Sequence, residues 1–312
     1  MDLPSILRQP PSRLTVGTVQ FGMSYGVANQ TGRPSFDTVC AIIREAWDHG
    51  VDVLDTAPGY GESEECIGRA LEKLGLRGRM RIVTKVSPLP LDLPSAEAAR
   101  KIEEGVSQSL KRLGLDRVPL CLFHHQTNIC YAEELLRLRA KGMIEAAGVS
   151  LVDAEYGWKA LKIPELQAWQ FPTNVLDRRF THSGLTAAAM KANVTVFVRS
   201  VYLQGLILMA DEATPPHLAE VIPARRKIRE IAAHFGLPMP ELAMRAVLSR
   251  PEVRSVVVGV ETLEQMRENA ALFAKGALPS EVMASLEAYD PKMPERIVSP
   301  VGWEKAKAAY KA

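Results

Sequence analysis

The chain has 312 residues, of which 47 % are hydrophobic and 24 % charged, with a formal net charge of +2. That is an ordinary soluble globular composition, with no basic excess or long Lys/Arg cluster to recruit nucleic acid and no apolar run long enough to cross a bilayer. The four cysteines, Cys40, Cys66, Cys121 and Cys130, lack CxxC spacing, and the N-terminal segment does not read as a signal peptide; a reducing, cytoplasmic setting is the expectation.

In chain order, Leu14 to Phe21 reads as a first strand, followed by a Gly/Ser/Asn/Thr-rich loop from Gly22 to Pro34. Ser35 caps a helix whose apolar residues Val39, Ile42, Ile43 and Trp47 recur at helical spacing until Gly50 ends it. A short buried strand, Val51 to Leu54, then closes on Asp55. Pro58-Gly59 turns the chain and Tyr60 follows. The pattern repeats with a helix from about Ser63 to Leu74 and the strand Arg81 to Val86, which carries Lys85. A helix from about Ser95 to Leu113 precedes the strand Val118 to Phe123, which ends in His124-His125, and another runs from about Ala132 to Ala140. Ile144 to Ser150 is the next strand, with a short helix from Ala154 to Leu161 behind it. Leu166 to Gln170, Val194 to Val198 and Val256 to Gly259 complete eight strands. Two helices, Arg225 to Phe235 and Met239 to Leu248, fill the last interval after a loop from Met209 to Pro223 that is expected to be mobile.

Eight strand-helix units predict a closed (β/α)8 barrel forming one domain over residues 1–312. An open doubly wound sheet is the competitor, but no GxGxxG follows the first strand. Carboxylate, phenol, ammonium and imidazole all fall at or just beyond strand ends, where parallel α/β folds keep their chemistry. An Asp capping a turn beside a Lys that merely pairs with it is the plainer alternative. Cys121, His124, His125 and Cys130 lie close in sequence, but strand alternation sends Cys121 and His124 to opposite faces, so no metal site is expected.

The ordered set Gly17-Thr18, Leu54-Asp55-Thr56-Ala57 with Tyr60, Thr84-Lys85, Leu122-Phe123-His124 and Gly148-Val149-Ser150 resembles the aldo-keto reductase superfamily, from about Leu14 to Asn269. The resemblance implies a (β/α)8 barrel that binds a nicotinamide dinucleotide and uses an Asp, Tyr, Lys, His tetrad, here Asp55, Tyr60, Lys85 and His124. A phenol of pKa about 10 is a poor acid near neutrality. Lys85 would favour the phenolate of Tyr60, Asp55 would hold Lys85 charged, and His124 would orient the carbonyl oxygen. The resemblance further implies cofactor contacts at Gly17, Thr18 and Asp55, at Ser150 and Gln170 for the carboxamide, at Ser200, Leu203 and Gly205 near the pyrophosphate, and at Gly259, Glu268 and Asn269 around the adenosine. Two departures stand out: Leu151 occupies the place of an Asn, and Arg199 that of the aromatic residue beneath the nicotinamide. Met23, Tyr25, His125 and Tyr202 are candidate walls for the substrate.

The expected function is interconversion of an aldehyde or ketone and its alcohol, with NADP(H) as the implied cofactor and NAD(H) also open. Gly259 and Gln265 stand where relatives preferring the 2′-phosphate place cations, and Glu261 would repel a phosphate. Relatives with a small hydroxyl residue and a Gln at the positions of Glu261 and Gln265 also use NADP, and Arg225 or Arg226 is a further candidate to reach the phosphate. The rival readings are a cofactor-binding regulatory barrel with little turnover and a metal-dependent barrel hydrolase.

Overall fold

A computed structural model describes residues 12–303; the outermost parts of the expected domain lie outside them. Eight parallel strands close in sequence order into one barrel, with β8 returning to β1. They are β1 Leu14–Gly17, β2 Val53–Asp55, β3 Arg81–Val86, β4 Val118–Phe123, β5 Ile144–Ser150, β6 Leu166–Pro172, β7 Thr195–Arg199 and β8 Ser255–Gly259. The principal outer helices are α1 Phe36–Asp48, α2 Ser63–Leu74, α3 Ser95–Leu113, α4 Ala132–Ala140, α5 Ala154–Ala160, α6 Leu185–Lys191, α7 Val221–His234, α8 Met239–Leu248 and α9 Leu263–Ala274.

Successive residues of a strand point to opposite faces, and the buried side chains sort accordingly. Val53, Val83, Leu120, Leu122, Ala146, Ala168, Phe197 and Val257 form a cluster of their own inside the barrel. Their strand neighbours Leu54, Ile82, Cys121, Ala147, Trp169, Val196 and Val256 join the larger cluster between barrel and helices. The interior is therefore filled with aliphatic and aromatic side chains. Two residues beyond these plugs, on the same face, stand Asp55, Lys85, His124, Gln170 and Arg199.

Two boundaries differ from the sequence expectation. The first strand stops at Gly17, and Val19–Gly22 forms a single helical turn. A short apolar run does not distinguish strand from helix; the Thr18 amide makes the last rung to the Asp55 carbonyl at 3.0 Å, and its hydroxyl bonds to the same oxygen at 2.8 Å. The helix expected from Arg225 begins at Val221. The segment before it carries a 3-10 turn, Pro216–Leu218, and is tied down at Asp211, which accepts from Arg225, Arg226 and Arg229.

Candidate active site

The site starts from one buried ion pair. Lys85 Nζ donates to Asp55 Oδ1 at 2.9 Å, to Oδ2 at 3.0 Å and to the Thr56 carbonyl at 2.9 Å. Both side chains are almost fully enclosed. Burial alone would depress the ammonium, but the Asp55 carboxylate and the Tyr60 phenol outweigh it, and the net direction is upward. Removing either partner would strand a charge in the barrel. Gln170, from β6, donates its amide to Asp55 Oδ1 at 2.7 Å, so the carboxylate links three strands.

Tyr60 follows the Pro58-Gly59 turn, with its ring centre 5.0 Å from Lys85 Nζ and 5.6 Å from the His124 imidazole, edge to face. Its backbone is set by two glycines. A Cβ on Gly22 would meet the Tyr60 carbonyl at 1.8 Å, and one on Gly61, whose φ is +57°, would meet the Gly22 carbonyl at 2.5 Å. Only main chain fits between the first helical turn and this loop. Behind Asp55, Ser63 Oγ lies 2.9 Å from Thr18 Oγ1 and 3.0 Å from Thr56 Oγ1. Sequence reading used Ser63 as a helix start and missed this hydroxyl cluster; three small hydroxyl residues flanking a strand-end Asp are the signal it had.

His124 is half-buried. Burial pushes its imidazole down to about 3, and the charges of Lys85, Arg199 and His125 act in the same direction. The ring is thus neutral near pH 7, with one N–H to donate and no positive charge. His125 is exposed, and its Nδ1 pairs with Thr127 Oγ1 at 2.8 Å, apart from the Asp55 group. Cys121 packs outside the barrel wall, on the opposite face from His124.

The residues expected to hold a dinucleotide fall into two groups. Ser150 and Gln170 stand at the barrel mouth, and Gln170 Oε1 is buried with no hydrogen-bond partner. An orphaned acceptor there fits an amide N–H from a carboxamide. Ser200, Leu203 and Gln204 adopt positive φ at +65°, +49° and +54°, and Gly205 at +89°. Left-handed backbone at non-glycine residues costs free energy and concentrates at ligand clamps. The turn is braced from both sides: Gln204 Nε2 donates to the Tyr25 hydroxyl at 2.9 Å, and the Tyr202 hydroxyl donates to Asn269 Oδ1 at 3.2 Å.

Glu261, Gln265, Glu268 and Asn269 lie around the start of α9, away from the Asp55 group. Thr262 caps the helix by accepting from the Gln265 amide at 3.2 Å. Glu261 Oε2 accepts from Thr31 Oγ1 at 3.2 Å, bridging α9 to the loop after β1 across a groove that Arg33 and Ser35 also line. Burial raises its carboxyl above the ordinary range. Gly17 and Gly259 face each other in the β1–β8 ladder, and Met23 is exposed. Arg225 does not fill the place of a phosphate-binding cation: it is buried, donating to Asp211 at 2.6 Å and to the Leu206 carbonyl at 2.8 Å. Arg226 is held by the same carboxylate.

The sequence profile of the Aldo/keto reductase family matches residues 13–291. The chain belongs to the aldo/keto reductase family. Among similar proteins, the "NADH-specific methylglyoxal reductase" of Escherichia coli (strain K12) is 28 % identical over 73 % of this chain and 80 % of its own length. The "Aldo-keto reductase YhdN" of Bacillus subtilis is 29 % identical over 77 % and 78 %. The "L-glyceraldehyde 3-phosphate reductase" of Escherichia coli O157:H7 is 26 % identical over 80 % and 82 %. Among solved structures, the holo form of aldo-keto reductase AKR11C1 from Bacillus halodurans superposes with a TM-score of 0.74 over 92 % of this chain and 95 % of that one, at 21 % identity. That likeness carries the barrel fold. In this aldo/keto reductase, no helix among the described residues is long and apolar enough to cross a membrane.

Proposed function

We propose that this aldo/keto reductase interconverts an aldehyde or ketone and its alcohol at the mouth of the barrel, with Tyr60 as proton donor and acceptor. The observation that carries the reading is the enclosed Asp55–Lys85 pair set against the Tyr60 ring, with the His124 ring edge to face with it. Ser150 and Gln170 would hold a reduced nicotinamide, which would supply the hydride for the carbonyl carbon. His124 donates its N–H to the carbonyl oxygen and aligns it. As negative charge builds on that oxygen, the Tyr60 O–H bond breaks and its proton forms the alcohol O–H. The Lys85 ammonium stabilises the phenolate left behind, and Asp55 keeps that ammonium charged and in place. Tyr60, half-buried, regains its proton from solvent.

Ser150 and the orphaned Gln170 Oε1 would hold the carboxamide, and the strained turn at Ser200, Leu203 and Gly205 would follow the phosphates with its backbone. The Glu261 carboxylate favours a free 2′-hydroxyl over a 2′-phosphate, which supports NAD(H) use beside the NADP(H) expected from resemblance. The similar proteins are named for reactions on methylglyoxal, D-threo-aldoses, L-glyceraldehyde 3-phosphate and pyridoxal, and small carbonyl compounds of these kinds are the substrates to test. Oxidation of NADH and of NADPH, followed by absorbance of the reduced nicotinamide with that panel, tests the reading. Turnover lost in Tyr60→Phe with cofactor binding retained is the expected result; no turnover of any member by a protein that binds cofactor would favour the regulatory alternative.

A further inference from the structure

Arg199 ends β7 on the inward-facing register, two residues beyond Phe197 in the barrel plug. Its guanidinium makes two long hydrogen bonds, to the Leu151 carbonyl at 3.3 Å and to Ser200 Oγ at 3.5 Å. Among the described residues it forms no ion pair with a carboxylate. Elsewhere the fully buried Arg225 reaches a carboxylate of Asp211 at 2.6 Å, and the buried Arg178 has Glu287 at 3.6 Å. A guanidinium offers five N–H donors, so most of those of Arg199 are left over. It also keeps part of its surface open to solvent, which places that surface toward the mouth of the barrel.

The charges around it leave an excess. Asp55 is already committed to Lys85 and Gln170, and these two opposite charges cancel at a distance. Tyr25, Tyr60 and His124 lie near Arg199, and Asp177, the other carboxylate whose charge reaches it, is held through both oxygens by Arg179. The mouth of the barrel thus carries one net positive charge beside the proposed proton donor. A desolvated guanidinium in that position selects a planar or tetrahedral oxyanion, bidentate where geometry permits.

We propose that Arg199 binds a carboxylate or phosphate carried by the carbonyl substrate, so that the preferred substrates are anionic aldehydes or ketones. This inference rests on the reaction proposed at Tyr60. The dinucleotide's own phosphates are the other source of the same chemistry, and the position of Arg199 beside Tyr60 and His124 favours the substrate.

Two matched pairs separate these sources: succinic semialdehyde against butyraldehyde, and glyceraldehyde 3-phosphate against glyceraldehyde. In wild type the charged member of each pair is expected to have the higher kcat/KM. In Arg199→Gln that ratio is expected to fall on the order of tenfold or more, chiefly through KM, as the loss of a charge-assisted contact implies. Arg199→Lys, which keeps the charge and loses the fork, is expected to fall between. Dissociation constants of the reduced cofactor, read by fluorescence, form the second arm. An unchanged substrate ratio overturns the proposal, and if cofactor affinity drops at the same time, the anion is the cofactor's. Calorimetric binding of 4-hydroxybutyrate against butanol to cofactor-loaded protein is independent of turnover. Arg199-dependent binding of the acid without catalysis would sustain this inference and sink the proposed reaction; catalysis without any such preference would do the reverse.

Discussion

Asp55 and Lys85 meet inside the barrel through both carboxylate oxygens, at 2.9 and 3.0 Å, with their side chains 6 % and 1 % exposed. The contact anchors the proposed chemistry and is a liability for the fold. Lys85→Met leaves a buried carboxylate with Gln170 as its remaining side-chain partner, and is expected to cost about 3–5 kcal/mol of stability. Asp55→Asn strands the ammonium in the same way. Together the two changes should cost less than their sum by on the order of 1–3 kcal/mol in urea unfolding; strict additivity would show that the pair is not coupled.

Tyr60→Phe removes one oxygen from a ring whose position is set by its backbone. The expected outcome is a loss of kcat on the order of 10²–10⁴-fold with aldehydes, at near-native thermal stability and cofactor affinity. Wild-type turnover in this variant would take Tyr60 out of the mechanism.

The acid range reports on His124. Its imidazole holds a proton less tightly in the folded chain, at about 3, than in the unfolded chain, at about 6.5. The stability tied to its neutrality is therefore fully present above the higher value and is lost as pH falls toward the lower one. His124→Asn should flatten the dependence of unfolding free energy on pH between those limits. The same depression predicts that wild-type kcat/KM shows no limb at the ordinary imidazole pKa. The His124 imidazole titrating there by NMR would contradict both expectations.

On the proposed reading, Glu261 discriminates between the two cofactors. Glu261→Ser removes the carboxylate that Thr31 now holds, and should improve NADPH affinity relative to NADH on the order of tenfold, the effect of deleting one unfavourable charge contact. Parallel titrations of the two reduced cofactors measure it; an unchanged ratio would show that the carboxylate does not face the ribose.

Gly22→Ala tests the main-chain contact beneath Tyr60. The added methyl would meet a backbone oxygen at 1.8 Å, which nearby side chains cannot relieve, and a loss above about 4 kcal/mol is expected. Gly105→Ala, in α3 with open space around it, is the control and should gain about 0.5–1 kcal/mol. Similar unfolding midpoints for the two variants would refute the contact.

Much of this architecture is legible in the residues because the barrel imposes one rule repeatedly. An aliphatic plug such as Val53, Val83 or Leu122 is followed two positions later by a polar group, here Asp55, Lys85 and His124, so strand periodicity alone gathers them at one end. What sequence withheld depends on closure in three dimensions. The Gln170–Asp55 bond spans 115 positions, and no local pattern announces it. The end of β1 was hidden because Val19 and Phe21 are apolar in either conformation, and the last rung, from the Thr18 amide to Asp55, closes on a residue far away in sequence. Arg225 read as a free cation because nothing near it in sequence predicts that Asp211 folds back to take it.

The meeting of Gly22 and Gly61 bears on how such a protein changes over time. Because backbone presses on backbone there, the aim of the Tyr60 ring does not depend on which side chains decorate the surrounding loops. Met23 stands exposed outside that contact, so its replacement would leave the ring's aim in place, whereas Tyr25 and Tyr202 also brace the turn at Gln204. Substitutions outside the contact can accumulate without moving the ring, whereas the two glycines themselves leave no neutral path.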